Sequence, residues 1–188
     1  MAVDSFYTFP AAQGVASVAP QGTAAPTGMT ALTDPWVDLG AITQNGLTEN
    51  PSESRTEFKR WGSISPYAAV ITDQKHEFSI QFLENNPDVL SLVYRTGSAP
   101  TPDATSHIIS ITDDTTGVRD LRALTFDIIS GNNHLRFFCP MAEVTAVANI
   151  KYSFDAPIMY DVTFTAYPDN TGVAVKRDFL LDAVVNSL

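Results

Sequence analysis

Alternation with period two constrains this chain more than any other feature. In "KHEFSIQFLE", Phe78, Ile80 and Phe82 share one face while Glu77, Ser79 and Gln81 share the other. In "EVTAVANIKYSF", Val144, Ala146, Ala148, Ile150, Tyr152 and Phe154 alternate with mostly polar neighbours. Ile158, Tyr160, Val162, Phe164 and Ala166 repeat the pattern in "IMYDVTFTAY". Successive side chains of a strand point to opposite faces, so these stretches predict half-buried antiparallel strands. "TSHIISIT", "LRALTFDIIS" and "HLRFFC" are further strand candidates. "SGNN", from Ser130 to Asn133, supplies the residues that a tight hairpin turn needs.

One segment departs from this period. "NNPDVLSLVYR" places Asn85 or Asn86 at a cap, Pro87 at the first helical position and Asp88 in the first turn, with Val89, Leu92 and Val93 at helical spacing. It predicts one short helix closed at Gly97. "VKRDFLLDAVVNSL" is ambiguous, because Phe179/Ala183 and Leu180/Val184 suit a helix while its valines suit a strand. The expected fold is all-β, a sandwich or barrel of about seven to nine strands with one short α-helix. Its open strand edges must be blunted or used.

The ends read differently. Residues 5–33 carry no charge, and "PAAQGVASVAPQGTAAPTGMTALTDP" is punctuated by Gly and Pro too often for a core or a regular helix. Residues 1–34 are therefore expected to form an extended arm, with Phe6, Tyr7 and Phe9 at its head, able to lie along a neighbouring subunit. Deleting that arm is expected to weaken polymerisation without unfolding the rest. Residues 35–170 form the β-domain, and 171–188 a C-terminal arm that contacts neighbours from Gly172 onward.

Bulk chemistry excludes several functions. The 188 residues carry a formal net charge of −10, which disfavours phosphate backbones and anionic membrane faces. Lys59-Arg60 and Lys176-Arg177 are too short to make a basic patch. A single cysteine, Cys139, gives no internal disulfide framework. No apolar run reaches the ~18 residues of a membrane span, and no secretory signal is expected at the N-terminus.

The search for a chemical site is equally bare. His134 and Cys139 are five apart on one strand and point to opposite faces, so they read as a loop histidine and a core cysteine rather than a metal pair. The "TDDTTG" turn with Asp113 and Asp114 lacks the alternating ligands of a calcium loop. There is no G-x-S-x-G, P-loop or G-x-G-x-x-G motif. Neither an enzyme nor a cofactor is expected, although a carboxylate pair distant in sequence is a competing reading. Trp36 and Trp61, the only tryptophans, suit packing roles. As sugar platforms they would instead make a monomeric carbohydrate-binding module.

The order of elements carries more information. "WVDLGAITQNGLTENPSESRTEFKRWG" is followed by "HEFSIQFLENNPDVLSLVYRTG", giving an "LGAITQNGL" strand, a polar loop, a strand ending "RWG", an F-x-I-x-F-x-E-x-N strand and a short helix. Across residues 36–97 this resembles the major tail proteins of long non-contractile-tailed bacteriophages, and most of all those of actinobacterial phages. Later strands, to about residue 168, agree in pattern only.

The resemblance implies a non-catalytic virion subunit, assembled in the host cytoplasm as hexameric rings stacked into a tube. Genomic DNA would pass through the lumen without specific binding. Tape-measure, tail terminator and distal tail proteins would be partners, with no membrane involved. The 43–54 loop would reach the adjacent ring through Asn45, Gly46, Glu49, Asn50, Pro51 and Glu53. Strand-borne candidates for an acidic lumen are Glu57, Glu77, Asp127, Glu143 and Asp161.

Overall fold

A computed structural model of the chain describes residues 10–112 and 119–181. Its elements in chain order are β1 (Gln13–Pro20), β2 (Val37–Asp38), β3 (Ile42–Phe58), β4 (Ala68–Phe82), α1 (Pro87–Val93), β5 (Arg122–Ser130), β6 (Asn133–Val147), β7 (Tyr160–Ala166) and β8 (Lys176–Leu180). The strands make one antiparallel sheet in the order β2-β1-β5-β6-β7-β4-β3, with β8 pairing β6 off this path.

Bulges fold this sheet over its own core. β6 breaks register against β5 between Arg122 and Leu124, and against β7 between Val144 and Ala146. Such insertions bend a strand and raise its twist. The β1–β5 half thereby meets the β7–β4 half. The Phe126 ring of β5 lies 5.2 Å from Phe78 on β4 and 6.0 Å from Phe164 on β7. Phe78, Ile80, Phe82, Tyr160, Val162, Phe164 and Ala166 are all buried, as their alternation predicts.

The helix forms where its local signals place it. Asn86 is the N-cap, and its Oδ1 accepts the Val89 N–H at 2.8 Å; Pro87 opens the helix. Val89, Leu92 and Val93 join the core. Closure comes two residues earlier than Gly97. Arg95 takes a positive φ of 53°, and the Thr96 N–H donates to the Ser91 carbonyl at 3.0 Å, a Schellman-type end built on arginine.

The F-x-I-x-F-x-E-x-N strand has a second role. Glu84 Oε1 accepts the Ala41 N–H at 2.8 Å, and Asn86 Nδ2 donates to the Leu39 carbonyl at 3.0 Å. These two side chains clamp the "LGA" corner, where Gly40 adopts a φ of 85° and a Cβ would overlap the Glu84 carboxylate. Asn86→Ala therefore removes a helix cap and a corner bond together. It should cost about 1–3 kcal/mol in urea unfolding; a midpoint equal to wild type would show that neither bond matters.

Four expectations are corrected. Residues 13–20 are not a surface arm: β1 pairs β5 over its whole length, and Ala16, Val18 and Ala19 are buried. The 43–54 segment is not a loop but strand, because β3 runs through it and pairs β4 from Leu47 to Phe58. The "TSHIISIT" stretch forms no strand within residues 105–112; Ile108 is exposed, and an Asp103 turn holds Thr105 and Ser106. The 143–154 alternation ends at Val147, leaving Tyr152 and Phe154 in solvent. The ambiguous C-terminal stretch is strand over Lys176–Leu180. Ala183, Val184, Asp113, Asp114, Phe6, Tyr7 and Phe9 lie outside the described residues.

Candidate assembly surfaces

Three surfaces stand out once the sheet is in place. The first is a projecting ribbon. From Asn50 to Lys75 every residue except Ser63 is exposed, so β3 and β4 leave the body as a two-stranded arm. At ~3.3 Å per residue the arm stands about 25 Å clear. A two-stranded ribbon alone is marginal in water. Its end carries Phe58, Trp61, Ile64, Tyr67, Val70 and Ile71, with Trp61 and Ile64 almost wholly in solvent.

The predicted inter-ring residues divide along this arm. Asn50, Pro51 and Glu53 lie exposed on it, and Glu53 pairs with Arg55. Asn45 and Gly46 sit at its root, in a bulge with no partner on β4. Glu49 is used within the subunit: Arg177 of β8 donates to it while lying 5.8 Å over the Phe137 ring, tying the C-terminal strand to the base of the ribbon.

The second surface is the outer face of β3, β4, β7 and β6. Directly opposed residues share a face. The register therefore aligns Asn50, Glu77, Thr165 and Glu143 in one row, Thr48, Ser79 and Thr163 in the next, then Gln81 with Asp161. Hydroxyls knit the rows, with Ser79 3.2 Å from Thr163 and Thr145 2.8 Å from Thr165. Two cations here are paired with the face's own acids, Lys75 with Glu77 and Arg119 with Glu143 through two bonds of 2.9 and 2.7 Å, and Arg95 adds its field to Glu143. The Arg119 bonds, then the Tyr167 hydroxyl, hold the Glu143 carboxyl below its usual range, so Glu143 keeps its charge under mild acid. Glu77, Glu143 and Asp161 thus come together. Glu57 does not join them, lying near the ribbon tip.

Asp127 is no surface acid at all. It is buried, and Arg136 clasps it through bonds of 2.6 and 2.7 Å. Arg136 also donates to the carbonyls of Gly28 and Thr30, so this pair anchors the 28–30 segment. The signal was present in the hairpin: once Ser130 faces Asn133, counting back along both strands sets Asp127 opposite Arg136.

The third surface is a groove of about 490 Å³ where β3 diverges from β1. Its walls include Val15, Ile42, Leu47, Ile80, Phe126 and Ile128. Thr43 Oγ1 is buried there without a hydrogen-bond partner.

Trp36 packs edge-on against Phe138 at 6.1 Å between centroids, the packing role expected of it. Cys139 is buried as a core residue, while His134 lies on β6 beside Asp127 rather than in a loop. Burial pushes the Cys139 thiol up to about 12. The native protein should therefore leave a thiol-reactive dye unreacted at neutral pH and release one equivalent only on denaturation; fast labelling of the folded chain would contradict this. Among the described residues no three His, Cys, Asp or Glu side chains gather as a metal site, and no helix is long and apolar enough to cross a membrane.

These surfaces define a class, a structural β-protein whose features are edges, a ribbon and a polar face. The chain belongs to the phage tail tube protein family, whose description matches residues 1–180. It is accordingly a non-enzymatic subunit of the virion tail. No curated protein matches it. Among solved structures it is similar to a chain of the virion of a native gene transfer agent particle, at 7% identity, 79% of this chain, 92% of that chain and a TM-score of 0.43. A chain of the anti-feeding prophage baseplate gives 8%, 91%, 97% and 0.46. One from the sheath–tube complex of an extracellular contractile injection system in its extended state gives 7%, 93%, 93% and 0.42.

Proposed function

We propose that this chain is the repeating subunit of a long non-contractile phage tail, of the kind found in actinobacterial phages, and that it forms hexameric rings stacked around a DNA-conducting lumen. The outer face of β3-β4-β7-β6 carries this reading. It offers carboxylates, hydroxyls and carboxamides, and Lys75 and Arg119 are already paired with its own acids, so it gives passing phosphates little to grip. Glu77, Glu143 and Asp161 are the acids assigned to the lumen. The free outer edge of β3 supplies the pairing surface that closes a ring. Asn50, Pro51 and Glu53 on the ribbon face the adjacent ring. Tape-measure, terminator and distal tail proteins bound the tube. The carbohydrate-module alternative loses one of its two platforms, since Trp36 is packed on Phe138.

Electron microscopy of concentrated purified protein at low and high salt tests the proposal. Six-fold rings or tubes with a central hole are expected. A monomer under every condition, including with its tape-measure partner added, would overturn it.

A further inference from the structure

Asn45 is the only asparagine of the chain that precedes a glycine. The backbone nitrogen that follows an asparagine can attack its carboxamide carbon and close a succinimide ring. The reaction needs a nitrogen with a proton to lose, a backbone free to rotate and little crowding from the next side chain. At the other described asparagines the fold withholds one of these. Asn50 and Asn86 precede Pro51 and Pro87, whose nitrogens carry no proton. Asn85 precedes Asn86, which is pinned as the helix cap by bonds of 2.8 and 3.0 Å. Asn132 precedes Asn133, which opens β6 opposite Ser130. Asn149 precedes Ile150, branched at Cβ and packed on the core. The Thr171 N–H after Asn170 is held by Asp169 at 2.8 Å. At Asn45 none of these restraints operates. β3 faces β4 at Ile42↔Phe82 and again at Leu47↔Ile80, so residues 43–46 stand against Gln81 alone. Such a bulge leaves its extra residues unpaired. Gly46 takes a φ of 66°, and a Cβ there would meet nothing within 4 Å. Asn45 is exposed, and no described residue hydrogen-bonds its carboxamide.

We propose that Asn45–Gly46 is a self-modifying site in the free subunit, where the chain deamidates without an enzyme. The Gly46 nitrogen gives up its proton and attacks Asn45 Cγ. A C–N bond forms there as the Cγ–Nδ2 bond breaks, and the amide nitrogen leaves with that proton as ammonia. Water then opens the ring. Opening at the side-chain carbonyl gives an aspartyl residue at position 45, and opening at the main-chain carbonyl leaves an isoaspartyl link. Both products put a new carboxylate at the root of the ribbon, in a chain whose net charge is already −10. The isoaspartyl form also adds a methylene to the β3 backbone ahead of Leu47, where pairing with β4 resumes and the ribbon takes its direction. The site requires nothing of the tail-tube reading.

Ageing the full-length protein at mildly alkaline pH, folded and unfolded in urea, tests this. A more anionic species should accumulate on anion exchange. Peptide mass should place the amide-to-acid change at position 45, an isoaspartyl methyltransferase should label part of it, and hydroxylamine should trap the ring by cutting between residues 45 and 46. The folded protein should react within about ten-fold of the unfolded rate, because the bulge needs no local opening first. Greater protection would mean that the sheet holds Gly46, and would overturn the inference. Asn45→Gln keeps an exposed carboxamide and lengthens its stem, which disfavours the ring, so this variant should lose the anionic species. Persistence of that species in the variant would place the reaction elsewhere and overturn the inference too.

Discussion

Removing residues 1–34 is expected to yield a chain that does not fold. The deletion takes β1, which faces β5 at eight positions from Gln13↔Ile129 to Pro20↔Arg122 and buries Ala16, Val18 and Ala19. It also takes the Gly28 and Thr30 carbonyls that hold Arg136. Each lost backbone bond contributes about 0.5–1.5 kcal/mol net, and the apolar cover of Leu124 and Phe126 goes with them. The sum approaches the ~5–15 kcal/mol that holds a typical domain together. Inclusion bodies, or a soluble product with no cooperative thermal transition, are expected. A deletion ending at residue 9 spares β1 and should keep the transition. If the longer truncation melts cooperatively within about 5 °C of the intact chain, β1 is dispensable and the sheet order is wrong.

That deletion is informative because β1 is where the sequence misleads. "GVASVA" is a small-residue run between Pro10 and Pro20, and its composition suggests tail. A strand covered on both faces loses the alternation that betrays a half-buried one. Ala16, Ser17, Val18 and Ala19 are all buried, so period two had nothing to mark. β3 fails to show itself for the opposite reason. Exposed on both faces beyond Glu49, it has no apolar face to alternate with, and Asn45, Gly46 and Pro51 read as loop. A proline is tolerated there because β3 is an edge strand.

What was legible was local. The Asn86 cap and Pro87 fix the helix within a few residues, and β4 and β7 follow from their own faces. The assembly surfaces were only partly legible. Glu77, Glu143 and Asp161 share a face because three strands of distant sequence come into register, and Glu49 meets Arg177 across 128 residues. Neither follows from spacing within a segment. "TSHIISIT" shows the converse error, since an alternating run is no strand without a neighbour to pair with.

Replacing Arg136 with methionine should cost about 3–5 kcal/mol, the second large effect expected here. Methionine keeps much of the volume and removes the charge, leaving Asp127 buried with no partner but His134 Nε2 at 3.4 Å. An uncompensated buried carboxylate is far costlier than the intact pair is favourable. The effect is therefore expected to be asymmetric. Adding Asp127→Leu to Arg136→Met should recover much of the loss, because the orphaned charge goes, although the Gly28 and Thr30 carbonyls still lose their donor. Urea unfolding of the four proteins in the cycle measures this directly. If the double variant is as unstable as Arg136→Met alone, the penalty comes from releasing the 28–30 segment rather than from Asp127, and Arg136 serves chiefly as the clasp that holds that segment against the sheet.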